Sequence, residues 1–148
     1  MNKEIKILLV EDNEGDIVLT MQALKKANVT NGINVAKDGD EALRYLKKKG
    51  HFSNAETPDL ILLDINLPKI DGMEVLAEIK NDEHLKTIPV VMLTTSDSEN
   101  DIIQSYNNHA NCYITKPVDF KKFIEVVQTI KDFWISIVKL PKHSGRGY

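Results

Sequence analysis

The stretch PDLILLDINLP, residues 58–68, contains a run of four apolar residues that ends in an acid. Uninterrupted apolar runs of this kind are typical of strands buried on both faces, as in the middle of a parallel sheet. Asp64 stands at the end of this predicted strand, where a carboxylate costs free energy unless another group compensates its charge. We therefore expect Asp64 to lie beside a cation or a hydrogen-bond donor.

Strand and helix patterns alternate outward from this stretch in both directions. Apolar runs predict strands at 5–10, 33–36, 60–64, 89–94 and 111–115. Apolar residues at helical spacing predict helices at 16–27, 39–49, about 72–81, 97–109 and 120–140, of which the fourth is the most polar. Five consecutive strand–helix units predict an α/β fold, with a parallel sheet and helices on both of its faces.

The composition fits one globular domain and argues against several functions. The 148 residues suit a single domain at 1–141, followed by a flexible tail at 142–148. A net charge of −3 argues against a nucleic-acid-binding face, and the basic run 47–49 is explained by a solvated helix end more simply than by a binding patch. No apolar segment reaches the roughly 18 residues that span a membrane. The single cysteine, Cys112, fits a reducing compartment, so we expect a cytoplasmic protein.

Side chains suited to phosphate chemistry stand at the ends of four predicted strands. Glu11 and Asp12 end the first strand, Asp64 the third, Thr94 the fourth and Lys116 the fifth. Open parallel sheets bind ligands at the carboxyl ends of their strands. If the first and third strands are central neighbours, all five side chains converge on one pocket.

The convergence of three carboxylates predicts a bound cation. At an effective dielectric of about 20, two carboxylates about 4 Å apart repel each other by roughly 4 kcal/mol. A set of oxygen ligands without histidine or cysteine suits a hard divalent ion, and Mg²⁺ suits a site with few protein ligands. Three carboxylates, one Mg²⁺ and one lysine sum to zero charge, which leaves a site able to accept a phosphoryl group. Thr94 and Lys116 could then bind phosphoryl oxygens.

In this combination the chain resembles the receiver domains of two-component response regulators. The resemblance covers about residues 4–130 and implies a flavodoxin-like fold with strand order 2-1-3-4-5 and a final helix extended to about 119–140. The stretches NCYITKP and DFWISIVKLP are similar to single-domain response regulators paired with cyanobacterial phytochrome-type histidine kinases. The residues that carry the family resemblance are Glu11 and Asp12 after ILLV, Asp64 in LILLDINLPKIDG, Thr94 in VVMLTTS, and Lys116 and Pro117 in CYITKP.

The resemblance implies that Asp64 is the phosphoacceptor in a phosphorelay. It would take a phosphoryl group from a phosphohistidine of a sensor histidine kinase and form an aspartyl phosphate. Thr94 and Lys116 would hold the phosphoryl group, and the Lys116–Pro117 peptide bond would be cis. The protein would thus be a phosphoacceptor that catalyses its own phosphotransfer and its slow autodephosphorylation.

The resemblance also implies which atoms hold Mg²⁺. Asp12, Asp64 and the backbone carbonyl of Asn66 would bind the ion, and Glu11 would contact it through water. The family more commonly has aspartate where this chain has Glu11, and the longer side chain affects the metal geometry more than the chemistry.

Tyr113 stands where receiver domains carry an aromatic switch residue. The resemblance implies that phosphorylation draws Thr94 inward and that Tyr113 fills the vacated space. This would bias the face formed by the fourth helix, the fifth strand and the fifth helix. The simpler alternative is a strand tyrosine that is packed for its apolar area alone. Because no DNA-binding unit follows, we expect output through protein–protein contacts.

The last predicted helix carries more apolar residues than one face of a small sheet needs. A homodimer contact would cover the surplus, and the alternative is that the extension folds back over its own core. The residues of this candidate dimer face are Phe133, Ile137, Val138 and Leu140.

Two other classes of function compete with a phosphorylation-driven switch. A pseudo-receiver that acts as a constitutive binding module predicts loss of an acid-pair member, the acceptor or the lysine, and all of them are present. A hydrolase of the haloacid dehalogenase type shares the aspartyl-phosphate intermediate. It requires a second acid two residues after the nucleophile, where this chain has Asn66.

Overall fold

The computed structural model of the chain describes residues 5–27, 32–95 and 112–127. Its strands are β1 (Ile7–Val10), β2 (Ile33–Ala36), β3 (Leu60–Asp64), β4 (Val90–Thr94) and β5 (Cys112–Thr115). Its helices are α1 (Glu14–Lys26), α2 (Gly39–Leu46), α3 (Gly72–Lys80), a 3₁₀ turn (Gly50–Phe52) and a last described helix, Phe120–Val127, called the final helix below. The predicted helix at 97–109, the final helix beyond 127 and the tail at 142–148 lie outside the described residues.

The five strands form one parallel sheet in the order β2-β1-β3-β4-β5. This confirms the predicted doubly wound, flavodoxin-like α/β fold. In the register of the central strands Val10 pairs with Leu63, and at the far side Thr94 pairs with Thr115. The residues that follow these pairs therefore emerge together at one edge of the sheet, called the C-terminal edge below.

Both faces of the sheet are covered by apolar side chains. Because side chains alternate along a strand, odd and even positions of each strand enter different clusters. One cluster packs with α1 and the final helix, and the other packs with α2 and α3. The first cluster includes Ile7, Leu9, Leu24, Leu60, Leu62, Val91, Leu93 and Phe123. The second includes Leu8, Val10, Ile61, Leu63, Leu76, Ile79, Val90 and Met92.

Three helices begin at side chains that cap their first turn. Asn13 accepts a hydrogen bond from the backbone N–H of Asp16, so α1 begins at Glu14 and not at 16 as the apolar spacing predicts. Asp38 caps α2 in the same way. Asp71 and Glu74 form a reciprocal capping box at the start of α3.

The predicted end of the second helix at 49 is wrong. The helix ends at Leu46, and two residues beyond it have positive φ angles, 56° at Lys48 and 60° at Gly50. A left-handed residue cannot continue a right-handed helix, so the chain leaves the helix and enters the 3₁₀ turn.

Two strands begin later than their apolar runs predict. The backbone N–H of Lys6 bonds to the side chain of Asp59, so regular pairing of β1 starts at Ile7 and not at 5. β4 starts at Val90 because Pro89 has no N–H to donate.

Within the described ranges no helix is long and apolar enough to cross a membrane.

Gly72 fixes the loop between β3 and α3 against the end of β3. Its N–H donates to the carbonyl of Ile65 at 2.9 Å. A Cβ atom at this position would lie 2.1 Å from the carbonyl oxygen of Asp64 and 2.7 Å from the Cα of Ile65. Both contacts are with backbone, so a side chain here requires the strand end itself to move.

We expect Gly72→Ala to destabilise the protein by about 2–4 kcal/mol, because the backbone clash outweighs the roughly 1 kcal/mol by which alanine favours helix. Urea unfolding measures the change. Gly15→Ala in the first turn of α1 is the matched control, since its Cβ would meet only a side-chain atom, Oδ1 of Asn13, at 3.3 Å. The control should change stability by less than about 1 kcal/mol. Equal effects of the two substitutions would contradict the assigned role of Gly72.

Candidate functional site

The ammonium group of Lys116 lies among three carboxylates at the C-terminal edge. Its Nζ atom is 2.9 Å from Glu11 Oε1, 2.9 Å from Asp16 Oδ2 and 3.3 Å from Asp64 Oδ2. The lysine side chain is 7% exposed, Glu11 is fully buried and Asp64 is 3% exposed. The positive charge expected beside Asp64 is therefore supplied by the Lys116 ammonium group, which Asp64 shares with Glu11 and Asp16.

Asp64 is held in an environment that disfavours its charge. Burial, the neighbouring charge of Glu11 and a hydrogen bond with Glu11 raise the pKa of Asp64 to about 7, against the opposing effect of Lys116. The backbone N–H of Asn66 also donates to Asp64 Oδ1, at 3.3 Å, and this bond favours the charged form. In the metal-free protein Asp64 therefore holds its proton to a higher pH than an ordinary aspartate does.

Glu11, Asp12 and Asp64 form a set of oxygen ligands suited to a divalent cation. Each offers one carboxylate oxygen, and these oxygens lie within 4.8 Å of one another. Asp12 is exposed, whereas the other two are buried, so the set opens toward solvent on one side. The donor chemistry and the convergence fit a hard cation that keeps several water ligands, which is the coordination that Mg²⁺ prefers.

Asp16 was not predicted as a site residue. It lies in the first turn of α1, and its Oδ2 accepts a hydrogen bond from Lys116 at 2.9 Å. Burial lowers the pKa of Lys116, but the hydrogen bonds to Asp16 and Glu11 and the charge of Asp64 outweigh this effect and raise it. Lys116 therefore stays charged throughout the physiological range. The available signal in the sequence was an acid in a helical turn that directly follows the first strand.

Thr94 and Tyr113 lie on neighbouring strands and on the same face of the sheet. Thr94 is buried at the end of β4, and its carbonyl accepts a hydrogen bond from the N–H of Lys116 at 2.6 Å. Tyr113 is half-buried and pairs with Met92, two residues before Thr94. Positions two apart on a strand face the same way, so Tyr113 lies diagonally across from Thr94.

The remaining predicted site features divide between described and undescribed parts of the chain. The Lys116–Pro117 peptide bond is cis. Asn66 is exposed in the loop after β3. The candidate dimer face, Phe133, Ile137, Val138 and Leu140, lies outside the described residues, as does the predicted fourth helix.

Ion pairs also connect the loops at the C-terminal edge of the sheet. Lys37, after β2, pairs with Glu14 at the start of α1. Lys69, after β3, lies 3.4 Å from Asp38, the cap of α2. These pairs are largely exposed, so each contributes little to stability, but they connect the loops that follow the first three strands.

Metal-free protein should lose stability as the pH rises from 5 to 8, and Asp64→Asn should lose less. The folded-state pKa of Asp64, about 7, exceeds its unfolded value of about 3.9, so the folded state binds the extra proton within this window. Raising the pH removes that proton and destabilises the fold. In EDTA, urea unfolding should find Asp64→Asn more stable than wild type by roughly 1–3 kcal/mol at pH 8, with a smaller difference at pH 5. Identical pH slopes for the two proteins would contradict the raised pKa.

Comparisons with known proteins agree with this geometry. The response regulator receiver domain family matches residues 7–128. The response regulator Rcp1 of Synechocystis sp. is 48% identical over 135 residues, which cover 91% of this chain and 92% of Rcp1.

Two solved structures are similar over nearly the whole chain. The phosphorylated cyanobacterial phytochrome response regulator RcpA is 51% identical, with a TM-score of 0.78 over 95% of this chain and 100% of that one. The Mn²⁺-bound form of Rcp1 is 47% identical, with a TM-score of 0.75 over 93% of this chain and 99% of that one. The sequence match, the sheet order and the acid cluster lead to one conclusion: the chain belongs to the response regulator receiver domain family.

Proposed function

We propose that this protein is a single-domain response regulator in which Asp64 accepts a phosphoryl group from a sensor histidine kinase. The observation that carries the proposal is the position of the Lys116 ammonium group, 3.3 Å from Asp64 Oδ2 inside a cluster of buried acids. A buried carboxylate that is paired with a fixed cation is suited to receive a group that carries negative charge.

The proposed reaction needs little covalent assistance from the protein. A carboxylate oxygen of Asp64 attacks the phosphorus atom of a phosphohistidine, the P–N bond breaks, and the imidazole takes up a proton as it leaves. Charge on the phosphoryl oxygens is the main obstacle, so positioning and charge neutralisation supply the catalysis. Lys116 provides a charge that is already in place, and its raised pKa keeps it protonated. Water later hydrolyses the acyl phosphate and resets the switch.

Mg²⁺ is the proposed cofactor, bound by Asp12, Asp64, the backbone carbonyl of Asn66 and, through water, Glu11. The three carboxylates have oxygens within 4.8 Å of one another, which supports a divalent ion. The Rcp1 structure similar to this chain is a Mn²⁺-bound form, and Mn²⁺ and Mg²⁺ share a preference for octahedral oxygen ligands. When bound, the ion would supply positive charge to the Asp64 carboxylate and to phosphoryl oxygens.

Thr94 and Tyr113 are the proposed relay from the site to the surface. Thr94 ends β4 beside Lys116, where its hydroxyl can donate to a phosphoryl oxygen. Its shift toward the phosphoryl group would free space for Tyr113, which lies diagonally across on the same face of the sheet. Output through the face that β5 forms with its neighbouring helices follows as part of this proposal.

The proposed partner is a phytochrome-type histidine kinase in the cytoplasm. The similarity to Rcp1 and to RcpA, a cyanobacterial phytochrome response regulator, supports a kinase of that type. The single cysteine supports a reducing compartment. A domain over residues 1–141, with a flexible tail at 142–148, completes the proposal.

Acetyl phosphate should add one phosphoryl group to the wild-type protein in the presence of Mg²⁺, because the small donor replaces the kinase and the cation neutralises the site. Intact-protein mass spectrometry detects the adduct. Asp64→Asn should carry none, and wild type incubated with acetyl phosphate and EDTA in place of Mg²⁺ should form little adduct. Asp71→Asn is a matched control, since Asp71 caps α3 and lies outside the acid cluster. A protein that takes up no phosphoryl group under either condition would be better described as a pseudo-receiver.

We also propose a homodimer through Phe133, Ile137, Val138 and Leu140. Light scattering should show a dimer at high concentration, and Ile137→Lys should shift it to monomer because a charge cannot be buried unpaired in an apolar contact. Val18→Lys on α1 is the control, since Val18 is already exposed. A monomer at high concentration, with and without acetyl phosphate, would exclude the dimer.

A further inference from the structure

Asp16 contacts the Lys116 ammonium group but does not belong to the carboxylates that converge on a cation. Its Oδ2 is 2.9 Å from Nζ, as close as Glu11 and closer than Asp64 at 3.3 Å. The carboxylates whose oxygens converge for a cation are Glu11, Asp12 and Asp64. Asp16 is 27% exposed and projects from the first turn of α1. It therefore acts on the site through the lysine.

The contact changes the charge balance of the site. With Asp16 included, four carboxylates, one ammonium group and one divalent cation leave one negative charge where the strand-end residues alone predict none. The ammonium group has three N–H donors, and Asp16 and Glu11 engage two of them at 2.9 Å. One donor remains for Asp64 or for a phosphoryl group on it, so a phosphoryl group that draws more of the ammonium charge competes with Asp16 for Lys116.

We infer that Asp16 is a positioning residue that holds Lys116 toward α1, which favours the divalent cation and opposes the phosphoryl group. The inference rests on the proposed function and concerns the same site. When Asp16 engages Lys116, less of the ammonium charge is available to Glu11 and Asp64, so these acids are freer to bind the cation. The same engagement adds negative charge near the phosphoryl oxygens and occupies one of their donors.

Asp16 is expected to strengthen binding of the divalent cation and to weaken binding of the phosphoryl group. These opposite signs distinguish its role from a general loss of structure at the site. Asp16→Asn removes the charge while keeping the size of the side chain. It should weaken Mg²⁺ binding by about three- to tenfold, and at saturating Mg²⁺ it should tighten binding of beryllofluoride, a phosphoryl mimic, by a similar factor. Isothermal titration calorimetry measures both affinities. A mutation that merely loosened the fold would weaken both.

Glu14→Gln is the matched control for net charge. Glu14 lies in the same helical turn, but its carboxylate pairs with Lys37 and not with Lys116. It should change either affinity by less than about twofold. Asp16→Glu, which keeps the charge, should stay closer to wild type than Asp16→Asn. Asp16→Ser should reproduce the pair of opposite shifts, so the result does not depend on the asparagine amide.

The outcomes separate this inference from the proposed function. A wild-type protein that binds no beryllofluoride in saturating Mg²⁺ overturns the proposed function and this inference with it. A wild-type protein that binds it, with Asp16→Asn shifting both affinities in the same direction or matching Glu14→Gln, overturns the role of Asp16 alone. Opposite shifts in Asp16→Asn that Glu14→Gln lacks support it.

Discussion

The ion cluster around Lys116 is the interaction on which the rest of the site depends. Glu11 and Asp64 are buried at the end of an apolar sheet, where an unpaired carboxylate is strongly destabilising. A single ammonium group contacts both of them and Asp16 as well. The contact joins the end of β5 to the ends of β1 and β3 and to α1, and Lys116 is 105 positions from Glu11 and 100 from Asp16 along the chain. The same ammonium group thus offsets the cost of burying these acids and supplies the positive charge on which the proposed reaction depends.

The backbone around this cluster is fixed by contacts that do not depend on charge. The N–H of Lys116 donates to the carbonyl of Thr94, and Gly72 packs directly against the carbonyl of Asp64. Asn13 caps α1 and so orients the helical turn that carries Asp16. These constraints are steric or lie between neutral groups, so they do not depend on the charge state of the acids. A site that is preorganised in this way spends little of its interaction energy on rearrangement.

The sheet and most of the site follow from local sequence patterns, whereas helix ends and Asp16 do not. Apolar runs identify the five strands to within two residues at their ends, and parallel strands bring Asp64, Thr94 and Lys116 to one edge of the sheet. The second helix ends early because Lys48 adopts a left-handed backbone conformation. Lysine rarely adopts this conformation, so the sequence does not predict it. The helix dipole alone is enough to explain an acid at position 16, since it stabilises a negative charge in the first turn of a helix. Nothing in the sequence therefore indicated a second role for Asp16. Its contact with Lys116 depends on which way that turn faces β5, and only the tertiary structure supplies this direction.

Burial of Asp64 is unfavourable for the resting protein and favourable for the proposed reaction. Burial and the charge of Glu11 raise the pKa of Asp64 to about 7, so both effects favour the protonated acid over the charged nucleophile. The same enclosure would limit the access of water to an acyl phosphate, whose hydrolysis ends the signal. A divalent cation bound by these acids would favour the charged form of Asp64. It would leave unchanged the burial that limits the access of water. In the proposed function, the state of the site would depend on which charge occupies it: a proton, a divalent cation, or a phosphoryl group that competes with Asp16 for Lys116.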